Sequence, residues 1–238
     1  MSNPPSAWAA PGPIRGVIFD LHSTLVDQGS ADEWLDLALS AHHHPLDDSE
    51  RAALVAFLDR IWENARLHDP DSSRDLSADA HRRVFHRLLD EGPGVDAGIG
   101  DALYASLLDT WHAYDDTIPV LTDLRNAGIS VAVLSNVGVP IQHVLDREGI
   151  TPFADATVLS WQVGTVKPEP GIFRQALVEL ALGPDEVLMV GDSGKDDAGA
   201  AHLGIRTLIL PRTAGRVHGL AAVTALVHGL NAGYSATS

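Results

Sequence analysis

Five short apolar runs constrain the fold of this chain more than any other feature. They are "GVIFDL" (16–21), "ISVAVLSN" (129–136), "ATVLS" (156–160), "EVLMVGD" (186–192) and "IRTLIL" (205–210). Most place Val, Ile and Leu on consecutive positions, as strands buried on both faces of a parallel sheet do. The segments "VPIQHVLDREG", "KPEPGIFRQALVELA" and "DDAGAAHLG" between them have helical patterns. Strand and helix in alternation predict an α/β fold built on a doubly wound parallel sheet.

Residues 28–116 break that rhythm. They hold no convincing strand, only amphipathic helical stretches such as "SADEWLDLALSAHHH", "DSERAALVAFLDRIWENARL", "SADAHRRVFHRLLDEG" and "GDALYASLLDTWHAYD". Several open on Ser or Asp at an N-cap position, with the Ser-x-x-Glu pattern at Ser30 to Glu33. We therefore expect an inserted α-helical cap domain at 28–116, over an α/β core formed by 1–27 and 117–238. Trp34, Phe57, Trp62, Phe85 and Trp111 fall at helical spacings and are expected in the core of the cap rather than against a ligand. The "HHH" run at 42–44 is expected to be a solvated turn, and the last residues, "NAGYSATS", to be frayed.

Composition excludes several function classes. Thirty-two acids against 16 bases give a formal charge of −16, the wrong sign for binding a nucleic-acid backbone. With no cysteine there is neither a disulfide framework nor a thiolate metal site. The start, "MSNPPSAWAAPGPIRG", lacks the pattern of a signal peptide, and no run of eighteen apolar residues follows. These features predict a cytoplasmic protein without membrane or nucleic-acid partners, and they leave monomer or homodimer open. Fourteen of the 16 bases are arginine, so Lys167 and Lys195 are the two places where the chain uses a compact ammonium.

In an open parallel sheet, ligands bind beyond the carboxyl ends of the strands. Asp20, His22, Ser23 and Thr24 follow the first run, Ser135 and Asn136 the second, Lys167 the third and "GDSGKDD" (191–197) the fourth. Gathered at one edge, these groups offer carboxylates for a hard cation, small donors for phosphate oxygens and a lysine as counter-charge.

The ordered set "FDLHSTL", "VLSN", "VGTVKPEPGIF" and "VGDSGKDDAGAAHLG" resembles the four motifs of the haloacid dehalogenase superfamily, in the branch with a helical cap after the first motif. The resemblance spans about residues 14 to 210. It implies a Rossmann-like core and a Mg2+-dependent hydrolase, most often a phosphatase of small phosphorylated metabolites. By position, Asp20 is the implied nucleophile that would become an aspartyl-phosphate. Thr24, Ser135 and Asn136 are implied substrate-binding groups, together with Lys167, which would also steady the nucleophile. Asp20, Asp192, Asp197 and the backbone carbonyl of His22 are the implied metal site.

One departure carries the functional question. Most phosphatases of this superfamily have a second aspartate two residues after the nucleophile, and here that position is His22, with Ser23 in place of the usual glycine. Imidazole can exchange protons near neutral pH and could replace the aspartate. Alternatively, the chain has the chemistry of the dehalogenase and phosphonate-cleaving members, which also lack that aspartate. A third reading is a catalytically impaired phospho-ligand-binding or regulatory protein.

Overall fold

The computed structural model describes residues 12–213 and 215–235. Five parallel strands form the central sheet: β1 (Gly16–Asp20), β4 (Ser130–Ser135), β5 (Ala156–Leu159), β6 (Val187–Gly191) and β7 (Arg206–Ile209), in the order β5-β4-β1-β6-β7. Each of the five apolar runs supplies one of them. β1 lies between β4 and β6, with Phe19 opposite both Val133 and Val190. Its five residues are all buried, which is why the sequence there does not alternate.

The sheet is covered on both faces. Val17, Phe19, Val131, Val133 and Val190 face α6 (Thr117–Asn126), α7 (Gln142–Arg147) and α10 (Ala221–Ser235), through residues such as Leu121, Val144 and Val223. Ile18, Leu134 and Met189 face α9 (Pro170–Leu180), which follows the short α8 (Ser160–Val163), through Ile172, Phe173 and Ala176. Beside α9, the "DDAGAAHLG" segment is a 3-10 helix at Asp197–Leu203 rather than an α-helix. The expected frayed tail also differs. Residues 231–235 belong to α10, and Asn231 receives a hydrogen bond from the Ile14 amide and donates one to its carbonyl. The first eleven residues and 236–238 lie outside the described residues.

Between β1 and β4 the chain forms α1 (Ala31–Ala41), α2 (Asp48–Leu58), α3 (Ile61–His68), α4 (Ala78–Leu89) and α5 (Ala97–Ala105), followed in sequence by α6. Their starts follow the cap chemistry. The side chains of Ser30, Asp47, Ser77 and Asp96 each accept from a backbone amide two or three residues into the helix, and Asp47 with Glu50 completes a capping box. The segment is not strand-free. β2 (Val26–Asp27) and β3 (His112–Ala113) pair antiparallel where the chain leaves and re-enters the sheet region. A two-residue strand carries no periodicity, so the sequence did not announce it. The apolar interior runs on from the sheet into these helices, through Leu21 and Leu25 to Leu35, Leu58 and Phe85.

Candidate active site

The site lies at the carboxyl ends of β1, β4 and β6, where the strand order places Asp20, Ser135 and Asp192 side by side. Asp20 is the last residue of β1 and is 5% exposed. Lys167 Nζ donates to Asp20 Oδ1 at 2.5 Å and to Asp197 Oδ1 at 2.6 Å, so one buried ammonium bridges two buried carboxylates. The other oxygen of each acid is also engaged. Thr24 Oγ1 donates to Asp20 Oδ2 at 3.1 Å, and the Ser193 amide donates to Asp197 Oδ2 at 2.9 Å.

Two glycines make this packing possible. A Cβ on Gly191 would sit 2.1 Å from Asp197 Oδ2, and one on Gly199 would sit 2.6 Å from the Pro168 carbonyl. Asn136 serves the same network from β4. Its Oδ1 accepts from the Lys167 amide at 2.7 Å and its Nδ2 donates to the Lys167 carbonyl at 3.0 Å, so the side chain is spent on holding the lysine's backbone.

Burial sets the charge balance. It pushes the Asp20 pKa up to about 7 against the pull of Lys167, with Asp197 and Asp192 adding to the rise. Asp192 is pushed up to about 6, by burial and then by Asp197. Burial pulls Lys167 down, but Asp197 and Asp20 outweigh it and hold the ammonium above the ordinary lysine range. Oxygen atoms of Asp20, Asp192 and Asp197 lie within 4.8 Å of one another. Three clustered acids, two of them strained toward protonation, fit a hard divalent cation, whose charge would relieve that strain.

This charged floor faces a cavity of ≈110 Å3 whose opposite wall comes from residues 62–111. Trp62, Arg66, Arg74, Asp75, His81 and Trp111 line that wall, with His22 at the junction. Trp62 packs against the apolar interior and Trp111 is buried in it, as expected of core residues, and both also line the cavity. Their rings lie 5.0 and 4.6 Å from the His22 ring, while Trp34 and Phe85 are buried and Phe57 is partly buried against the apolar interior.

His22 Nδ1 lies 3.3 Å from the Ser23 hydroxyl, and Nε2 is buried with no hydrogen-bond partner among the described residues. Burial, then Arg212 and Arg66, pull its pKa down to about 3. Ser23 adopts a left-handed backbone at φ +67°, the conformation that favours glycine, and its carbonyl pairs with His218 Nε2 at 2.7 Å. Floor and wall meet at Ser160, whose hydroxyl donates to the Asp75 carbonyl at 2.6 Å and accepts from the Val137 amide. Gly138 allows the approach, since a Cβ there would sit 2.2 Å from the Arg74 carbonyl.

Lys195 also lines the cavity, its Nζ 3.4 Å from the Pro70 carbonyl. Its position in the fourth motif gave no hint of this, although the scarcity of lysine did. Arg74, buried between Asp69 and Asp75, carried no sequence signal among so many arginines.

A sequence profile of the haloacid dehalogenase-like hydrolases matches residues 14–204. The chain belongs to that family. It is 31% identical over 216 residues to the ribulose-1,5-bisphosphate 5-phosphatase of Halopiger xanaduensis, covering 81% of this chain and 83% of that one. The glyceraldehyde 3-phosphate phosphatase of Methanopyrus kandleri is 29% identical over 212 residues, covering 84% of each. A magnesium-bound hydrolase of the same superfamily from Bacillus subtilis superposes with a TM-score of 0.69 over 91% of this chain and all of that one, at 19% identity, which shows the shared fold. With relatives of these kinds the protein is a hydrolase of the phosphatase type. Among the described residues no helix is long and apolar enough to cross a membrane.

Proposed function

We propose that this hydrolase is a Mg2+-dependent phosphatase of a small phosphorylated metabolite, acting through an aspartyl-phosphate on Asp20. The observation that carries the reading is Lys167 bridging Asp20 and Asp197 beside Asp192 at the floor of the cavity. Clustered carboxylates capable of holding a hard cation favour phosphoryl transfer over carbon–halogen cleavage. The names of the relatives support small phosphoesters as substrates.

Each residue then has a task. An Asp20 oxygen attacks phosphorus in line with the ester oxygen, forming the O–P bond as the P–O bond to the alcohol breaks. Thr24 holds the other Asp20 oxygen and fixes the direction of attack. Lys167 balances the charge of the incoming phosphoryl group, and Asn136 keeps it in place. The Ser135 hydroxyl, which also lines the cavity, is placed to donate to a phosphoryl oxygen. Asp20, Asp192 and the His22 carbonyl would hold the cation, with Asp197 supporting them, and the ion when bound neutralises the two approaching anions. His22 is assigned the proton exchange with the leaving alcohol and then with water, through the otherwise unpartnered Nε2. Residues 28–116 act as the cap that excludes water and selects the leaving group.

One observation favours a second reading. A histidine held down to a pKa of about 3 is neutral at pH 7 and lacks the imidazolium proton that an effective general acid gives up, which suits a phospho-ligand-binding protein with slow turnover. Phosphate release from a panel of small phosphomonoesters, with Mg2+ and with EDTA, separates the two. Release that requires Mg2+ supports the phosphatase. Binding of the esters without release supports the second reading, and release that survives EDTA defeats the assigned cation.

A further inference from the structure

We propose that His42, His44 and Asp96 form a second metal site, separate from the catalytic carboxylates and suited to a borderline ion such as Zn2+. Two imidazoles and one carboxylate are the donor set that selects such an ion, whereas Mg2+ prefers oxygen alone. None of the three lines the catalytic cavity. They come from two separate elements, the chain leaving α1 and the first residue before α5, and donor atoms of all three lie within 4.8 Å of one another.

The grouping is more specific than a solvated turn. His42 and His44 are half-buried. His44 Nδ1 lies 3.2 Å from Asp96 Oδ2. Tetrahedral zinc with ligand bonds of about 2.0–2.2 Å sets neighbouring donors roughly 3.3 Å apart, so this pair already stands at a ligand-to-ligand spacing. The remaining Asp96 oxygen accepts from the Ile99 amide at 2.9 Å, which fixes the carboxylate from behind.

His42 is also held. Its amide donates to the Ala38 carbonyl at the end of α1, and its ring lies across α5 where a Cβ on Gly98 would sit, 2.5 Å from Nε2. Glycine in a helix costs about 1 kcal/mol relative to alanine, and here its lack of a side chain makes room for the imidazole. Water could complete the fourth position. A bound ion would tie the end of α1 to the start of α5, two helices already joined by the Trp34 indole donating to the Leu103 carbonyl.

The test is calorimetric titration of Zn2+ into the EDTA-stripped full chain, comparing wild type with His42→Ala, His44→Ala, Asp96→Asn and Asp192→Asn. Asn still caps α5, so Asp96→Asn removes ligand charge without removing the cap. We expect a Zn2+ event that His42→Ala, His44→Ala and Asp96→Asn each weaken about tenfold or more, and that Asp192→Asn leaves in place. Co2+ should give the strong visible absorption of a tetrahedral nitrogen-ligated site in wild type and lose it in His44→Ala. The proposal is overturned if the histidine variants and Asp96→Asn titrate like wild type, or if only Asp192→Asn removes the event.

Discussion

The two sides of the catalytic cavity are built on opposite principles. The floor is a charge network in which Lys167, Asp20 and Asp197 engage one another and Thr24, Ser193 and Asn136 hold the remainder, gathered from the end of β1 and the segments that follow β1, β4, β5 and β6. The wall mixes the rings of Trp62 and Trp111 with the charged Arg66, Arg74 and Asp75, and the two rings flank His22, whose Nε2 has no partner among the described residues. Satisfied polar networks fix geometry, whereas an orphaned buried donor or acceptor marks a place where something else must bind. Under the proposed function, phosphoryl chemistry belongs to the floor, and leaving-group and proton chemistry to the His22 side of the cavity.

The sharpest break in that division is Asp20→Asn. It removes the proposed nucleophile while Lys167 remains paired with Asp197, so the chain should stay folded and phosphate release should fall by about 10^4-fold or more. Steady-state release beside a circular dichroism melt checks both halves of the expectation. His22→Ala tests the wall. It should lower kcat by about 10^2- to 10^4-fold with Mg2+ binding unchanged, and an unaltered kcat would take His22 out of the proton exchange.

Asp75 gives the wall a pH signature. Burial raises its pKa to about 7, with Asp69 and Asp196 adding and Arg74 and Lys167 opposing. Between about pH 4 and 7 the folded chain keeps a proton there that the unfolded chain has lost, so this residue's contribution to stability falls as pH rises through that window. Asp75→Asn should remove a loss on the order of a few kcal/mol between pH 5 and pH 8, read by urea unfolding at the two values. Identical pH dependence in both proteins would contradict it. The smallest effect belongs to the seam. Gly138→Ala forces a methyl group against the Arg74 carbonyl and should cost about 1–3 kcal/mol of stability while loosening the wall from the floor.

The same contrast explains what could be read in the sequence. The floor was legible because strand-end residues follow their strands directly, so "VIFD", "VLSN" and "VGD" place Asp20, Ser135 and Asp192 once the sheet is inferred. Finer assignments were out of reach, since nothing in "VLSN" shows that Asn136 turns back on Lys167 rather than toward a ligand. The wall was illegible for a different reason. Trp62 and Trp111 share the spacing of buried core residues, and only the tertiary approach of their segments to the sheet edge brings them beside His22. The two-residue ribbon of β2 and β3 and the grouping of His42, His44 and Asp96 depend on tertiary approach in the same way.

The most direct test of the account is the stereochemical course at phosphorus, followed with a phosphorothioate monoester whose two non-bridging oxygens are different isotopes, hydrolysed in water carrying the third isotope. Transfer to Asp20 and then to water involves two in-line displacements, so the released thiophosphate should show retention of configuration. Inversion would mean that water attacks the ester directly, and would contradict Asp20 as the phosphoryl acceptor.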